Sequence, residues 1–156
     1  MADAWFTAQF VTEPSFGSWA IRYGTHSLFS HVDIVWRENM LYGARSDGGV
    51  RLRHSNYGTF TRQVRVAIPI SFEQDRAMQN FLIAQRHKPY DWKAIVAFAT
   101  DRDWRDPARW FCSELWAGAV EAGDVLKVGE LVNKVSPNDA YLLACAVPGA
   151  IVTVIR

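Results

Sequence analysis

The hydrophobic pattern of this chain changes its period near residue 71, and that change limits the possible folds more than any other feature. Before it, alternating and β-branched segments predict strands over 5–11, 30–36, 40–45, 50–53 and 63–70. After it, Met78, Phe81 and Leu82 recur at helical spacing. Strands gathered first and helices gathered later predict an α+β domain, closed by a last strand over 150–155.

Start and stop signals divide the second half of the chain into helices. The run that begins at Ser71 matches a capping box, for a helix that stops before Pro89. A second helix is predicted over 90–99, and a third begins close to position 111. Ser136 followed by Pro137 marks the start of a short late helix.

Composition places the chain among globular proteins. With 156 residues, 49% of them hydrophobic, it has enough apolar material for one sizeable core. No linker or internal repeat divides it, so we predict a single domain over residues 1–156. Its 17 Lys and Arg balance 16 Asp and Glu, which gives no general attraction to nucleic acid or to an anionic membrane.

Targeting signals are not visible in the sequence. No apolar run reaches the ~18–20 residues that span a bilayer. The start of the chain, Met1 to Trp5, lacks the basic and apolar regions of a signal peptide. We therefore expect a cytoplasmic protein without a membrane span, with delivery by a phage or an export machine as the alternative. The oligomeric state is left open.

Cysteine and histidine usage argues against disulfides and bound metal. Cys112 and Cys145 are too few for a disulfide framework, and a reducing compartment keeps both free. The two cysteines and four histidines show no C-x-x-C or H-x-x-x-H spacing. We therefore predict neither a metal site nor a cofactor.

The segment around Cys112 carries the strongest chemical signal. Cys112, Leu115, Trp116 and Ala119 fall at helical spacing, so they share the inward face of one helix. Cys112 then lies in the first turn, where free backbone N–H groups and the helix dipole stabilise a thiolate relative to a thiol. It is a candidate nucleophile. The alternative is an inert cysteine that serves as a small core residue.

One histidine stands out as the base that a cysteine nucleophile needs to hold its thiolate and to protonate the leaving group. Of His26, His31, His54 and His87, only His31 lies inside a predicted strand. There the ring is rigid and within reach of a helix N-terminus. The other three flank turns or a helix end. For any one of them the alternative is a solvated or hydrogen-bonded imidazole without a catalytic role.

Four short motifs follow one another along the chain: Ser30-His31-Val32, Lys88-Pro89-Tyr90-Asp91, Phe111-Cys112-Ser113-Glu114-Leu115 and Ser136-Pro137-Asn138-Asp139. In this order they resemble the permuted NlpC-type papain-like cysteine peptidases. These are circularly permuted relatives of bacterial cell-wall endopeptidases and are close in fold to the lecithin–retinol acyltransferases. The resemblance runs from Trp19 to Asp139. It implies an α+β papain-like fold, with an antiparallel sheet packed against a helical bundle that carries the Cys helix.

The resemblance also implies roles for single residues. Cys112 is the nucleophile, His31 is its general base, and the backbone N–H of Cys112 donates to the oxyanion. Tyr90 matches the tyrosine that lies near the oxyanion in relatives, although an ordinary half-buried tyrosine fits the pattern equally. Asp91 and Glu114 are interpreted as acids at helix starts.

The chain departs from the family at the third residue, which accepts the second N–H of the imidazole. Relatives place a polar residue on the strand after the His strand. The corresponding positions here are Gly43 and Ala44, which cannot serve. A backbone carbonyl or a water molecule is one alternative.

Three side chains are the other candidates for this third role. A two-residue hairpin at 38–39 places Ser46 across from His31, with Asp47 beside it. Asp33 shares a strand face with His31, but alternate residues on a strand stand roughly 7 Å apart. The three candidates stay open at this point.

These features predict a cysteine hydrolase that cleaves an amide or ester bond through an acyl-thioester intermediate. By resemblance, its substrate is a peptide, murein or a lipid-like acyl compound. The alternative from another class is a non-catalytic module that keeps the fold and uses its groove for binding or assembly.

The tryptophans allow a further interpretation, as a wall facing carbohydrate or lipid. The residues concerned are Trp19, Trp36, Trp92, Trp104, Trp110 and Trp116. Most of them follow the inward faces of predicted elements and are assigned to the core. Trp104 and Trp110 flank the loop before Cys112 and are the two that we expect to line a groove.

Overall fold

One antiparallel sheet of six strands organises the fold, as seen in a computed structural model that describes residues 3–94 and 108–156. The strands are β1 (Ala4–Thr12), β2 (His31–Arg37), β3 (Met40–Arg45), β4 (Gly49–His54), β5 (Arg62–Ile70) and β6 (Ile151–Val154). Their order across the sheet is β4-β3-β2-β1-β5-β6, and every neighbouring pair is antiparallel. The strands predicted from alternation are confirmed, with small shifts at their ends.

The helices are α1 (Phe16–Thr25), α2 (Phe72–Ala84), α3 (Cys112–Ala122) and α4 (Pro137–Ala146), with a 3-10 segment at Gly129–Lys134. The predicted capping box is confirmed, because Ser71 Oγ accepts the N–H of Gln74 at 3.2 Å while Gln74 Oε1 accepts the N–H of Ser71 at 2.9 Å. The predicted N-cap of the late helix is confirmed too, since Ser136 Oγ accepts the N–H of Asp139 at 3.1 Å.

The hydrophobic core lies between the sheet and helices α2, α3 and α4. Phe10 and Val66 from the strands and Leu82 from α2 are almost fully buried within it. Helix α3 is buried along most of its length, from Cys112 to Val120. Removing apolar surface from water, at about 25 cal/mol per Å², is the main stabilising contribution to such a core.

Gly118 allows α2 and α3 to approach closely. A Cβ at this position would lie 2.7 Å from Cζ of Phe81, which is too close for either group to stay in place. The contact fixes α3 along the side of α2, and with it the position of Cys112 at the start of α3.

The predicted fold class is wrong. The sequence predicted an α+β papain-like fold of the permuted NlpC type, with a sheet packed against a helical bundle. The described residues instead form a six-stranded antiparallel sheet with few helices, and α3 packs on β2 and β3 as well as on α2 and α4. Helical periodicity shows that one face of a helix is buried, but not whether a sheet or another helix buries it.

Part of the sequence prediction lies outside the described residues. Of the helix predicted over 90–99, residues 92–94 are helical and the remainder falls in the stretch 95–107. Trp104 lies in the same stretch. Among the helices that the structure describes, none combines the length and the apolar character needed to cross a membrane.

Candidate active site

The two principal residues predicted from the sequence, His31 and Cys112, are brought together. His31 is the first residue of β2 and Cys112 the first residue of α3, and α3 packs on β2. The closeness of Cys112 to the imidazole is one of the causes that raise the pKa of His31. Both are buried, with 6% of His31 and 2% of Cys112 exposed. A possible base and a possible nucleophile therefore meet, although they lie far apart in sequence.

Backbone hydrogen bonds hold Tyr90 beside the start of α3. The N–H of Trp110 donates to the carbonyl of Pro89 at 3.1 Å, and the N–H of Asp91 donates to the carbonyl of Trp110 at 3.0 Å. Burial, followed by the negative charge of Cys112, raises the pKa of Tyr90 well above its usual value. The Tyr90 hydroxyl is therefore a proton donor that stays neutral near the sulfur.

A second partner of the His31 ring comes from its own strand. Nε2 of His31 lies 2.9 Å from Oδ1 of Asp33, and Asp33 is 2% exposed. The two residues share one face of β2 because alternate side chains point to the same side. The oxygen lies off the direction of the N–H bond, so the contact is an ion pair rather than a well-directed hydrogen bond.

Gly43 on the neighbouring strand makes room for this carboxylate. A Cβ at position 43 would lie 1.9 Å from Oδ1 of Asp33, far closer than a carbon and an oxygen that are not bonded can approach. A glycine within a strand often marks such a close approach. Gly43 cannot orient the imidazole itself, but it provides the space in which Asp33 does so.

The charges around His31 decide its protonation state. Burial acts to lower the pKa of His31, but the negative charges of Asp33 and Cys112 outweigh burial and raise the pKa to about 9. Burial acts to raise the pKa of Asp33, but the charge of His31 and a hydrogen bond from Tyr57 hold that pKa below its usual value. At neutral pH the pair is therefore an imidazolium and a carboxylate.

A chain of polar contacts continues beyond Asp33. The hydroxyl of Tyr57 donates to Oδ2 of Asp33 at 2.6 Å, and Nη1 of Arg45 donates to the Tyr57 hydroxyl at 3.1 Å. Nη2 of Arg45 lies 2.7 Å from Oε1 of Glu13. The polar contacts thus run from His31 through four charged or ionisable side chains, which are Asp33, Tyr57, Arg45 and Glu13.

Asp47 and Ser46 lie apart from the imidazole. Oδ1 of Asp47 lies 2.8 Å from Nη2 of Arg53, and the Asp47 side chain is 55% exposed. Ser46 is exposed near the same opening as His31, but in the part of the chain that the structure describes no hydrogen bond joins the two. Asp33 is the carboxylate that contacts His31.

A β-bulge explains why the hairpin argument pointed to Ser46. The bulge lies in β2 between Val35 and Arg37, and it adds one residue to that strand relative to β3. Beyond it the register shifts by one position. Continuing the ladder then places Arg45, rather than Ser46, opposite His31.

A small cleft of about 100 Å³ opens beside the imidazole. Its walls include the side chains of Ser18, Ser30, His31, Arg45, Tyr90 and Trp92. A larger cavity of about 560 Å³ lies between the 3-10 segment and α4, and none of the predicted site residues lines it. The small cleft is the one that His31 and Tyr90 line.

The tryptophans divide between core and surface. Trp110 is 7% exposed, packs edge-on against Phe81 with ring centroids 5.6 Å apart, and donates through Nε1 to Gln85 at 3.2 Å. It packs against α2 and lines a separate cavity of about 330 Å³ rather than the small cleft beside His31. Trp92 is 57% exposed and lines the small cleft. Trp104, the other expected groove residue, lies outside the described residues.

Two features of the site were missed by the sequence reasoning. Tyr57 lies in a loop and carries no pattern that links it to Asp33. The sequence excludes Gly43 as an orienting group because it has no side chain. A glycine inside a predicted strand, next to an acid on the neighbouring strand, also indicates that the two strands make a close contact there. The sequence leaves Asp33 as one of three candidates, with Ser46 and Asp47.

A metal-binding cluster is not found in the described part of the chain. Within residues 3–94 and 108–156, no group of three or more His, Cys, Asp or Glu side chains is arranged to hold a metal ion. His31 forms an ion pair with Asp33 of the same strand.

Comparison with known proteins gives a fold but not a family. No family model matches the sequence. No curated protein matches it either. Among solved structures, the chain is similar to the metalloprotein yiiX from Escherichia coli O157:H7, described as DUF1105. The TM-score is 0.59 at 20% sequence identity, over 95% of this chain and 94% of the other. The two proteins share a fold.

This neighbour overturns the resemblance drawn from the sequence motifs. The motifs resembled permuted NlpC-type papain-like peptidases, whereas the solved structure that shares the fold is described as DUF1105, a different family. The family prediction is therefore wrong. Short motifs of three to five residues constrain local structure and do not fix the relationship of the whole chain.

Proposed function

We propose that the protein is a cysteine hydrolase that cleaves an amide or ester bond through an acyl-thioester on Cys112. The observation that carries the proposal is the contact of Cys112 with His31, together with the Asp33 carboxylate 2.9 Å from Nε2 of the same ring. Such chemistry requires a nucleophile next to a base and a third group that orients the base.

In the first half of the reaction, the Cys112 sulfur attacks the carbonyl carbon of the substrate. A C–S bond forms, and the carbonyl electrons move to the oxygen. The His31 imidazolium gives its proton to the leaving nitrogen or oxygen as the C–N or C–O bond breaks. Its pKa of about 9 keeps this proton in place at neutral pH until the leaving group takes it.

In the second half, water resolves the thioester. Neutral His31 removes a proton from the water molecule, the oxygen attacks the acyl carbon, and the C–S bond breaks. The acyl group leaves as a carboxylic acid, and the thiolate and imidazolium are restored. Asp33 stabilises the positive charge on the His31 ring before the reaction begins and again after the thioester is hydrolysed.

Two groups are placed to bind the oxyanion. The N–H of Cys112 is among the first-turn donors of α3, which have no acceptor within the helix. Tyr90 lines the cleft with His31 and keeps its proton because its pKa is raised. Donors fixed in advance in a buried site stabilise the developing charge without reorganisation.

The name of the structural neighbour raises the question of a metal. yiiX is described as a metalloprotein. In this chain, the described residues offer no cluster of three or more metal-ligating side chains, and the Asp33 carboxylate already pairs with His31. The donor set does not fit a metal ion, and no step above depends on one.

Acyl trapping tests the proposed function. The wild-type protein is mixed with p-nitrophenyl acetate, quenched in acid within seconds, and mapped by peptide mass spectrometry. We expect an acetyl group on Cys112 and none on Cys145, although Cys145 is the more exposed of the two thiols. The Cys145→Ser variant should react like the wild type, and the His31→Ala variant should lose the adduct.

Other outcomes favour the alternative or reject the site. Absence of any adduct with small esters, thioesters and amides would support a non-catalytic module that binds through the same cleft. An adduct on Cys145 alone would contradict the assignment of Cys112.

A further inference from the structure

The two oxygens of the Asp33 carboxylate have different partners. Oδ1 faces Nε2 of His31 at 2.9 Å, while Oδ2 accepts a hydrogen bond from the Tyr57 hydroxyl at 2.6 Å. The Oδ2 bond is short, as expected for a hydroxyl that donates to an ionised oxygen. Rotation of the carboxylate would break both contacts, so Tyr57 resists any movement of Oδ1 away from the ring.

The direction of the Tyr57 hydroxyl is itself fixed. Nη1 of Arg45 donates to the hydroxyl oxygen at 3.1 Å, and the Arg45 guanidinium lies 4.3 Å from the centroid of the Tyr57 ring. A hydroxyl has one proton to give, and because the oxygen accepts from Arg45, that proton is free to point at Asp33. Burial followed by the charge of Asp33 raises the pKa of Tyr57, so the proton stays on the oxygen.

We propose that Tyr57 is a positioning residue of the active site, which holds the Asp33 carboxylate in the orientation that serves His31. The proposal rests on the proposed function of the site and adds a residue outside the Cys112–His31–Asp33 line. Tyr57 acts through Asp33 and has no contact with the sulfur. Arg45 pairs with Glu13 at 2.7 Å and holds the Tyr57 hydroxyl through its own hydrogen bond.

The variant Tyr57→Phe removes the hydroxyl but keeps the ring that packs against Arg45 and Phe60. We expect the titration of Asp33, followed by ¹³C NMR of its carboxyl group, to move upward by about one pH unit, because the carboxylate loses a donor to its charged form. Acetylation of Cys112 by p-nitrophenyl acetate should slow by about tenfold, since a displaced orienting group misaligns the ring.

Phe60→Leu is the matched control. Phe60 is buried, and its ring contacts that of Tyr57 with centroids 5.4 Å apart, but it offers no hydrogen bond to Asp33. This substitution should lower thermal stability while leaving the Asp33 titration unchanged. If Tyr57→Phe behaves in the same way as Phe60→Leu, Tyr57 is a structural residue and the proposal is overturned.

A double-mutant cycle with Asp33→Asn asks whether Tyr57 acts through Asp33. In the Asp33→Asn background, Tyr57→Phe should cause no further loss in the rate of Cys112 acetylation, whereas additive losses would overturn the proposal. If wild-type Cys112 is not acetylated at all, the proposed function fails, and the Asp33 titrations in the Tyr57 and Phe60 variants alone decide the role of Tyr57.

Discussion

The carboxylate of Asp33 occupies the space in which a side chain at position 43 would stand. A Cβ on Gly43 would lie 1.9 Å from Oδ1 of Asp33, the same oxygen that faces Nε2 of His31 at 2.9 Å. The absence of a side chain on one strand therefore permits an ion pair on the next. The site therefore requires glycine at position 43 as much as it requires its charged side chains.

Gly43→Ala should displace the Asp33 carboxylate and weaken its hold on His31. We expect a loss of about 1–3 kcal/mol in the free energy of unfolding, because a methyl group is forced into an occupied space. Acetylation of Cys112 should slow at the same time. Urea denaturation and the ester assay measure the two effects.

Gly17→Ala is the matched control for stability. Nothing lies within 4 Å of a Cβ at position 17, and the residue is in α1. Alanine there should leave stability unchanged or raise it by about 0.5–1 kcal/mol. Equal destabilisation by both alanines would contradict the role of Gly43.

Asp33→Asn should shift the pH dependence of the reaction. The negative charge of Asp33 raises the pKa of His31, and the loss of this charge lowers that pKa from about 9. Because His31 must be protonated to serve the leaving group, activity is lost above its pKa. The alkaline limb of kcat/KM should therefore move to lower pH by about one to two units.

Asp47→Asn serves as the comparison for that profile. Asp47 pairs with Arg53 at 2.8 Å and makes no contact with His31. Its replacement should leave the alkaline limb in place. A shift caused by Asp47→Asn, with none from Asp33→Asn, would contradict the role of Asp33 and assign the orienting role to Asp47.

Protein stability should fall with rising pH because of His31. Its folded pKa of about 9 lies above the unfolded value of 6.5, so folding binds a proton between these limits. The stabilisation is complete below the unfolded pKa and is lost as the pH rises through about 9. The slope reaches at most about 1.4 kcal/mol per pH unit.

His31→Gln removes this proton linkage. Urea denaturation between pH 6 and pH 10 should show a steeper decline for the wild type than for the variant. Parallel curves would mean that the folded protein binds no extra proton at His31.

The sequence located the two principal residues of the site better than it located the partner of His31. Cys112 and His31 follow from local signals, a cysteine at a helix start and a histidine inside a strand. The partner of His31 depends on strand register, and the bulge between Val35 and Arg37 shifts that register by one residue. Alternation within a strand cannot reveal an extra residue, so Ser46 was placed where Arg45 stands.

The prediction of the fold class was wrong for a different reason. Periodicity located the strands and most helices, because hydrophobic spacing reports which face is buried. It did not reveal that the sheet would carry six strands with β6 at one edge. That arrangement depends on contacts between distant segments, such as the pairing of Val64 with Val154. The resemblance of the short motifs then led to the prediction of a papain-like architecture, which is wrong.

The titration of His31 in the wild type and in Cys112→Ser, followed by ¹⁵N NMR of the imidazole ring, tests the central claim most directly. The claim is that Asp33 and Cys112 together raise the pKa of the His31 imidazole. The account predicts a pKa of about 9 for His31 in the wild type and a lower value in the serine variant, because the contribution of Cys112 is lost. A wild-type value at the ordinary 6.5, unchanged by the substitution, would contradict it.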